Sequence, residues 1–272
     1  MNIIIMGRKQ YRKLHRYKKR KPVYKNRGLW LGFLILAFSF SLFYFLFLSE
    51  FFQIKEVKLA GCRQISQEQL NLLINEKLEK KILFFPSQSI FLADLNAIKK
   101  DILERFPGAA KVEIKRIFPE TLDFSIIERE GVAVFYWADK YFVLDKEGVI
   151  FEEKSSASSV WSQIKVLDFT GEIRLGAKVL EKSDLAAILQ IDSELKEDLN
   201  ILVEEFVISA GKKLTVSTVK GWEIYFNLQE NVEWQLTKLK AVLEEKIPPE
   251  KKGDLEYIEL RFGNFANPKY KD

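Results

Sequence analysis

The chain has 272 residues, 47% of them hydrophobic and 30% charged, and a formal net charge of +5. Its one cysteine, Cys62, rules out an internal disulfide, and it has one histidine, His15. The charge is unevenly spread: eleven lysines and arginines fall within residues 1–28, whereas the first acidic residue is Glu50 and acids outnumber bases beyond it.

In chain order, residues 1–28 form a basic tail with Tyr11, Tyr17 and Tyr24 interleaved. Such a run suits either nucleic acid or anionic lipid headgroups; with no fold to present a surface to bases, it reads as a disordered topology signal. Residues 29–49 carry no charge, and as a helix these 21 residues rise about 32 Å, the thickness of a bilayer core. Ser49-Glu50-Phe51-Phe52 is a poor cleavage site, so the span is expected to remain as an anchor. Basic flanks stay on the cytoplasmic side, which puts the N-terminus inside and residues 50–272 outside. His15 is then on the other side of the membrane from Cys62, so no histidine–cysteine metal cluster can form and no external histidine can serve as a general base.

Glu50–Leu59 alternates in part and predicts a strand ended by Gly61. Ser66-Gln67-Glu68-Gln69 is a capping box opening a helix with Leu70, Leu72, Leu73 and Leu78. Pro86, Ser87 and Ser89 interrupt the chain. Asp94 caps a second helix, with Leu95, Ile98, Ile102, Leu103 and Phe106 at helical spacing, and Phe106-Pro107-Gly108 stops it. Lys111–Phe118 and Thr121–Arg129 alternate on either side of Pro119-Glu120, a hairpin signal. The expected order is strand, helix, helix, strand, strand, with Leu72/Leu73 and Ile98/Ile102 facing the core.

Tyr141–Leu144 and Val149–Phe151 flank an Asp145–Gly148 turn. Glu152–Ser159 reads as a polar loop and Ile164–Phe169 as a short strand. Leu180–Leu199 and Val232–Lys246 read as amphipathic helices, the first with Leu185, Ile188, Leu189 and Leu195 on one face. Between them lie strands at Val203–Ile208, Leu214–Val219 and Trp222–Leu228. Leu255–Phe262 is expected to be the last strand, followed by a polar tail.

Motifs for catalysis are incomplete. Gly171–Gly176 has phosphate-loop glycine spacing, but Ala177 stands where the lysine is needed. Ser-x-x-Lys occurs at Ser162, Ser193, Ser209 and Ser217 with no Ser-Asp-Asn or Lys-Thr-Gly to complete it. Adjacent acids such as Glu152/Glu153, Glu204/Glu205 and Glu244/Glu245 point apart and read as solvated charge.

Two stretches carry a family resemblance. Arg116-Ile-Phe-Pro119-Glu-Thr-Leu122, then Ile126-Ile-Glu128-Arg129-Glu-Gly-Val-Ala133, directly outside one span, resembles the POTRA unit of the FtsQ/DivIB bacterial division proteins, with Gly131 in place of the usual proline. Tyr257-Ile-Glu-Leu-Arg261-Phe262 resembles the family's closing strand, with Glu259 for the usual Asp. The resemblance implies an α+β chain. A basic cytoplasmic tail (1–28) and a transmembrane helix (29–49) precede a β-α-α-β-β POTRA domain (50–130). A mixed-sheet β domain with two helices (131–264) and a polar tail (265–272) follow.

The resemblance further implies a non-enzymatic scaffold at the division septum, without cofactor, metal, nucleic acid or small-molecule substrate. Its implied partners are FtsB/DivIC-like and FtsL-like proteins, the septal peptidoglycan synthase complex and membrane lipid. Partner binding is expected at Tyr257, Glu259, Arg261, Phe262 and Asn264, by strand addition to the edge of the closing strand. Arg261 is expected to pair with an acid of the partner, or else to bridge Glu259 or Glu256 on the surface. The rivals are a generic POTRA protein of secretion or envelope biogenesis and an anchored cell-wall enzyme.

Overall fold

The computed structural model describes residues 27–82, 85–156 and 161–271. The basic tail lies almost wholly outside the described residues. Helix α1 (Arg27–Phe47) is, among them, the one helix long and apolar enough to cross a membrane. It ends two residues earlier than the uncharged span, because Leu48 and Ser49 both donate their amides to the Tyr44 carbonyl and close the helix.

The expected first strand divides in two. Glu50–Phe52 is a 3-10 turn capped by Ser49, whose hydroxyl accepts from Phe51 N at 3.3 Å. The next residues bond to the chain around Ser89, with Ile54 N to Gln88 O at 3.0 Å and Ile90 N to Phe52 O at 2.9 Å. Only β1 (Glu56–Ala60) joins a sheet. Gly61 ends it at φ 87°, where an added Cβ would stand 2.0 Å from the Ile126 carbonyl oxygen.

Helices α2 (Gln67–Leu78) and α3 (Leu95–Arg105) begin at the expected caps, Ser66 and Asp94. Between them a short hairpin, β2 (Lys80–Ile82) and β3 (Phe85–Ser87), replaces the expected break. Strands β4 (Ala109–Ile117) and β5 (Thr121–Glu128) form the expected hairpin. The sheet order is β1-β5-β4, with β1 parallel to β5. Leu122, Phe124 and Ile126 of the central strand meet Leu70, Leu73, Ile74, Ile98 and Ile102 in one core. Leu72 is not in it: the side chain is 66% exposed. At 3.6 residues per turn, positions 70, 73 and 74 share a face and 72 lies across the helix from it.

A second core follows. Nine strands run in the order β14-β13-β12-β11-β10-β9-β6-β7-β8. They are β6 (Ala133–Trp137), β7 (Lys140–Leu144), β8 (Ile150–Lys154), β9 (Gln163–Val166), β10 (Val203–Ser209), β11 (Lys213–Thr218), β12 (Glu223–Asn227), β13 (Leu255–Glu259) and β14 (Asn267–Tyr270). Helices α4 (Lys182–Glu197) and α5 (Val232–Glu245) supply Leu185, Ile188, Ile191, Leu195, Leu236 and Leu239 to this core. Strand β6 was not anticipated. Gly131, just before it, has no room for a side chain: a Cβ would lie 2.6 Å from Val143 Cγ1 and 2.9 Å from the Trp161 ring.

Two expectations fail at the C-terminus. Residues 265–272 are not simply a polar tail, since β14 pairs antiparallel with β13, matching Leu255 with Tyr270 and Glu259 with Asn267. Consequently β13 is not the last strand, and β14 occupies the edge it was expected to offer. The two cores are joined at Arg129, whose guanidinium donates to Pro107 O at 3.0 Å on one side and to the Asp145 carboxylate on the other.

Candidate partner-binding face

Strand β13 lies between β12 and β14, parallel to the first and antiparallel to the second. Ile258 is fully buried and so is Leu260 just beyond the strand, as their alternation predicts. Tyr257, Glu259 and Arg261 therefore share the opposite, half-buried side. Their rings and charges interlock with neighbouring strands. The Tyr257 ring lies 4.9 Å from that of Tyr225 on β12, and Lys269 of β14 stands 5.5 Å above the Tyr257 ring while pairing with Glu256 at 2.8 Å.

Arg261 is already engaged within the chain. Its Nε donates to Glu259 Oε1 at 2.8 Å and its Nη2 to Glu259 Oε2 at 2.5 Å, a forked pair that the Arg261 amide extends at 2.9 Å. The guanidinium also lies 4.8 Å from the Tyr225 ring centre and 5.5 Å from that of Phe262. Of the two sequence expectations for Arg261, the pairing with Glu259 is the one present. Burial alone pushes the Glu259 carboxyl up, but the Arg261 side chain and amide outweigh it and hold the group below its ordinary value. Burial and the bond to Glu223, in that order, push the Tyr225 hydroxyl up, so it stays a donor at 2.6 Å.

Phe262 and Asn264 do not lie on the strand. They belong to the loop between β13 and β14, where Phe262 is 65% and Phe265 70% exposed. The loop is held from beneath by Lys238 of α5, whose buried ammonium donates to Leu260 O at 2.6 Å and Gly263 O at 3.0 Å. Burial pushes the Lys238 pKa down. A shallow groove of about 240 Å³ runs alongside, lined by Trp234, Lys238, Ala241, Asn264 and Phe265.

Sequence reasoning missed Lys238, although a signal existed. Positions 235, 238, 239 and 242 repeat at helical spacing, so a lysine there falls on the buried arc and needs acceptors. Gln235 on the same arc does likewise, accepting from Asn227 N at 2.8 Å and donating to Asn227 O at 2.9 Å. Tyr225 and Lys269 were missed because only the strand order brings them beside Tyr257.

Comparison with known proteins agrees with this architecture. The FtsQ-type POTRA domain matches residues 52–129, and the C-terminal domain of the cell division proteins FtsQ/DivIB matches residues 135–261. The second match stops at Arg261, so the Phe262 loop and β14 lie beyond it. The chain is 25% identical over 179 residues to the cell division protein DivIB of Clostridium acetobutylicum, covering 65% of this chain and 64% of that protein. It is 24% identical over 123 residues to the cell division protein FtsQ of Streptomyces bingchenggensis, covering 44% and 46% respectively. It thus spans less than two thirds of the length of either relative. Among solved structures, the major extracytoplasmic domain of DivIB from Geobacillus stearothermophilus aligns at 16% identity with a TM-score of 0.25, covering 44% of this chain and 98% of that one. The two domain matches follow one another behind one apolar helix and together cover most of the chain, and the chain belongs to the FtsQ/DivIB family of cell division proteins.

Proposed function

We propose that the protein is a non-enzymatic scaffold of the bacterial division machinery. In this reading α1 crosses the cell membrane once with the basic tail in the cytoplasm, and both cores lie outside, at the septum. The domain limits that go with it are 50–130 and 131–264, meeting near Arg129, with β14 added to the second. The external part binds FtsB/DivIC-like and FtsL-like proteins and links them to septal peptidoglycan synthesis. Family membership supports a role in division over general envelope biogenesis, because the second match is specific to FtsQ/DivIB.

One observation carries the binding site: β14 ends the nine-stranded sheet beside two exposed phenylalanines, Phe262 and Phe265. A partner strand can add to β14 through backbone bonds, and Phe262 and Phe265 offer it apolar anchors. Tyr257, Glu259 and Arg261 form the adjoining face, with Asn264 at the loop between. In this arrangement Arg261 meets the partner through a guanidinium that Glu259 has already oriented.

That pairing decides the test. Replacing Arg261 by Glu would set two carboxylates against each other in a half-buried site and disturb the fold as well as binding. Phe262→Ser and Phe265→Ser change only exposed side chains, and each should leave stability within about 0.5 kcal/mol. The double variant of the full chain should capture the FtsB/FtsL-like pair at least tenfold less well in a pull-down. Unchanged capture would move the site to the surface of the first core.

A further inference from the structure

The junction between α1 and the first core carries a run of aromatic rings that partner binding does not use. Phe45, near the end of α1, lies 6.1 Å from Phe51 and 5.4 Å from Phe52. Phe47 lies 6.4 Å from Phe91, which is 5.1 Å from Phe52 and 5.4 Å from Phe118. Phe118, at the β4–β5 turn, is thus two ring contacts from the last residue of the helix. Three separate segments of the first core, around residues 51, 91 and 118, bring phenylalanines to one place.

These rings are not sunk in the core. Phe51 and Phe118 are each 56% exposed and Phe91 39%. Polar bonds fix them at the level of the helix end. Ser89 Oγ donates to Leu46 O at 3.0 Å, Gln53 Nε2 to Phe47 O at 3.3 Å, and Gln88 N to Gln53 Oε1 at 2.6 Å. Arg116 of the Arg-x-x-Pro-x-Thr-Leu stretch donates from Nε to Ile90 O at 2.8 Å and from Nη2 to Ala93 O at 2.7 Å, holding the Phe91 turn beside Phe118. Lys55, four residues after Phe51, pairs at 2.7 Å with Glu120, two residues after Phe118.

A helix of this length uses up the hydrocarbon thickness, so its last turn sits at the boundary with the headgroups. Whatever is bonded to that turn sits there too. Exposed apolar patches at that depth partition into the boundary region, as the apolar faces of interfacial helices do. We propose that Phe51, Phe91 and Phe118 enter the lipid surface of the leaflet from which α1 emerges. The first core is then seated on the bilayer rather than hung from it on a tether. The occupant is lipid rather than protein because the patch is continuous, ring to ring, with the span itself. This rests on the reading of α1 as a membrane helix.

The test uses the full chain with Cys62→Ser and one new cysteine at a time, at Phe38, Phe118 or Phe265, each carrying a nitroxide. The chain is reconstituted in liposomes of phosphatidylcholine and phosphatidylglycerol, and collisions with oxygen and with a water-soluble nickel chelate are compared. The expected result is a deep label at Phe38, a water-exposed label at Phe265, and a Phe118 label at least fivefold less accessible to nickel than that at Phe265. If Phe118 and Phe265 collide with nickel equally while Phe38 is deep, the seating is wrong and the membrane span stands. An aqueous Phe38 label overturns both. Shielding of Phe118 that vanishes as the protein is diluted in lipid identifies a second protein chain as the occupant and also overturns the proposal.

Discussion

Glu259 is a carboxylate whose charged form is held chiefly by one neighbour. Arg261 lowers its pKa below the ordinary 4.5 despite burial. A depressed carboxylate stabilises the fold fully above its unfolded value and loses that contribution as pH falls through its folded value. Melting curves between pH 6 and pH 3 should therefore show an acid-side loss that Glu259→Gln reduces. At neutral pH the same variant should cost about 1–2 kcal/mol, the range for bonds to a charged group discounted for the solvent the pair still meets. A variant with the parent's acid profile would show that the fork contributes nothing. Chemistry at this scale was half legible. The sequence placed Glu259 two residues from Arg261, a spacing that puts both on one side of a strand. It could not show that the pair closes on itself beneath Tyr225, because Tyr225 is 36 residues away in sequence order and arrives only through strand pairing.

At the scale of elements, caps and periodicity were reliable guides where they stood alone. Ser66 and Asp94 start their helices, and the apolar repeats of α3, α4 and α5 face the cores. Leu72 shows what goes wrong when hydrophobicity is counted without phase. The contrast gives a sharp prediction: Ile102→Asp buries an unpaired charge and should unfold the first core, whereas Leu72→Asp should move stability by no more than about 0.5 kcal/mol. Thermal melts of the two variants in the full chain, read by near-ultraviolet circular dichroism, check this. Equal losses would mean that α2 is rotated from its observed face. The strands β6 and β14 escaped notice for different reasons. β6 is buried without alternation, Ala133, Val134 and Phe135 all being inside. β14 is four residues long and contains Pro268, which is compatible with an edge strand but reads as a loop.

For the whole molecule, charge distribution leads to a topology. A periplasm-active or exterior-active reporter fused after Asp272 should work, and one fused near Lys9 should not. The reverse pattern would overturn the proposed orientation and the scaffold reading with it. The sequence by itself determined the uncharged span, the basic flank, the helix caps at Ser66 and Asp94 and the β4–β5 hairpin, since each depends on residues within a turn or two of one another. It also carried the motifs of the family. Only the tertiary structure decided the edge of the large sheet, the engagement of Arg261 with Glu259 and Tyr225, the lysine beneath the Phe262 loop, and the aromatic seat at the end of α1. Each of these joins residues from different elements, and a contact between distant segments is set by how faces pack and strands register, which local spacing does not encode.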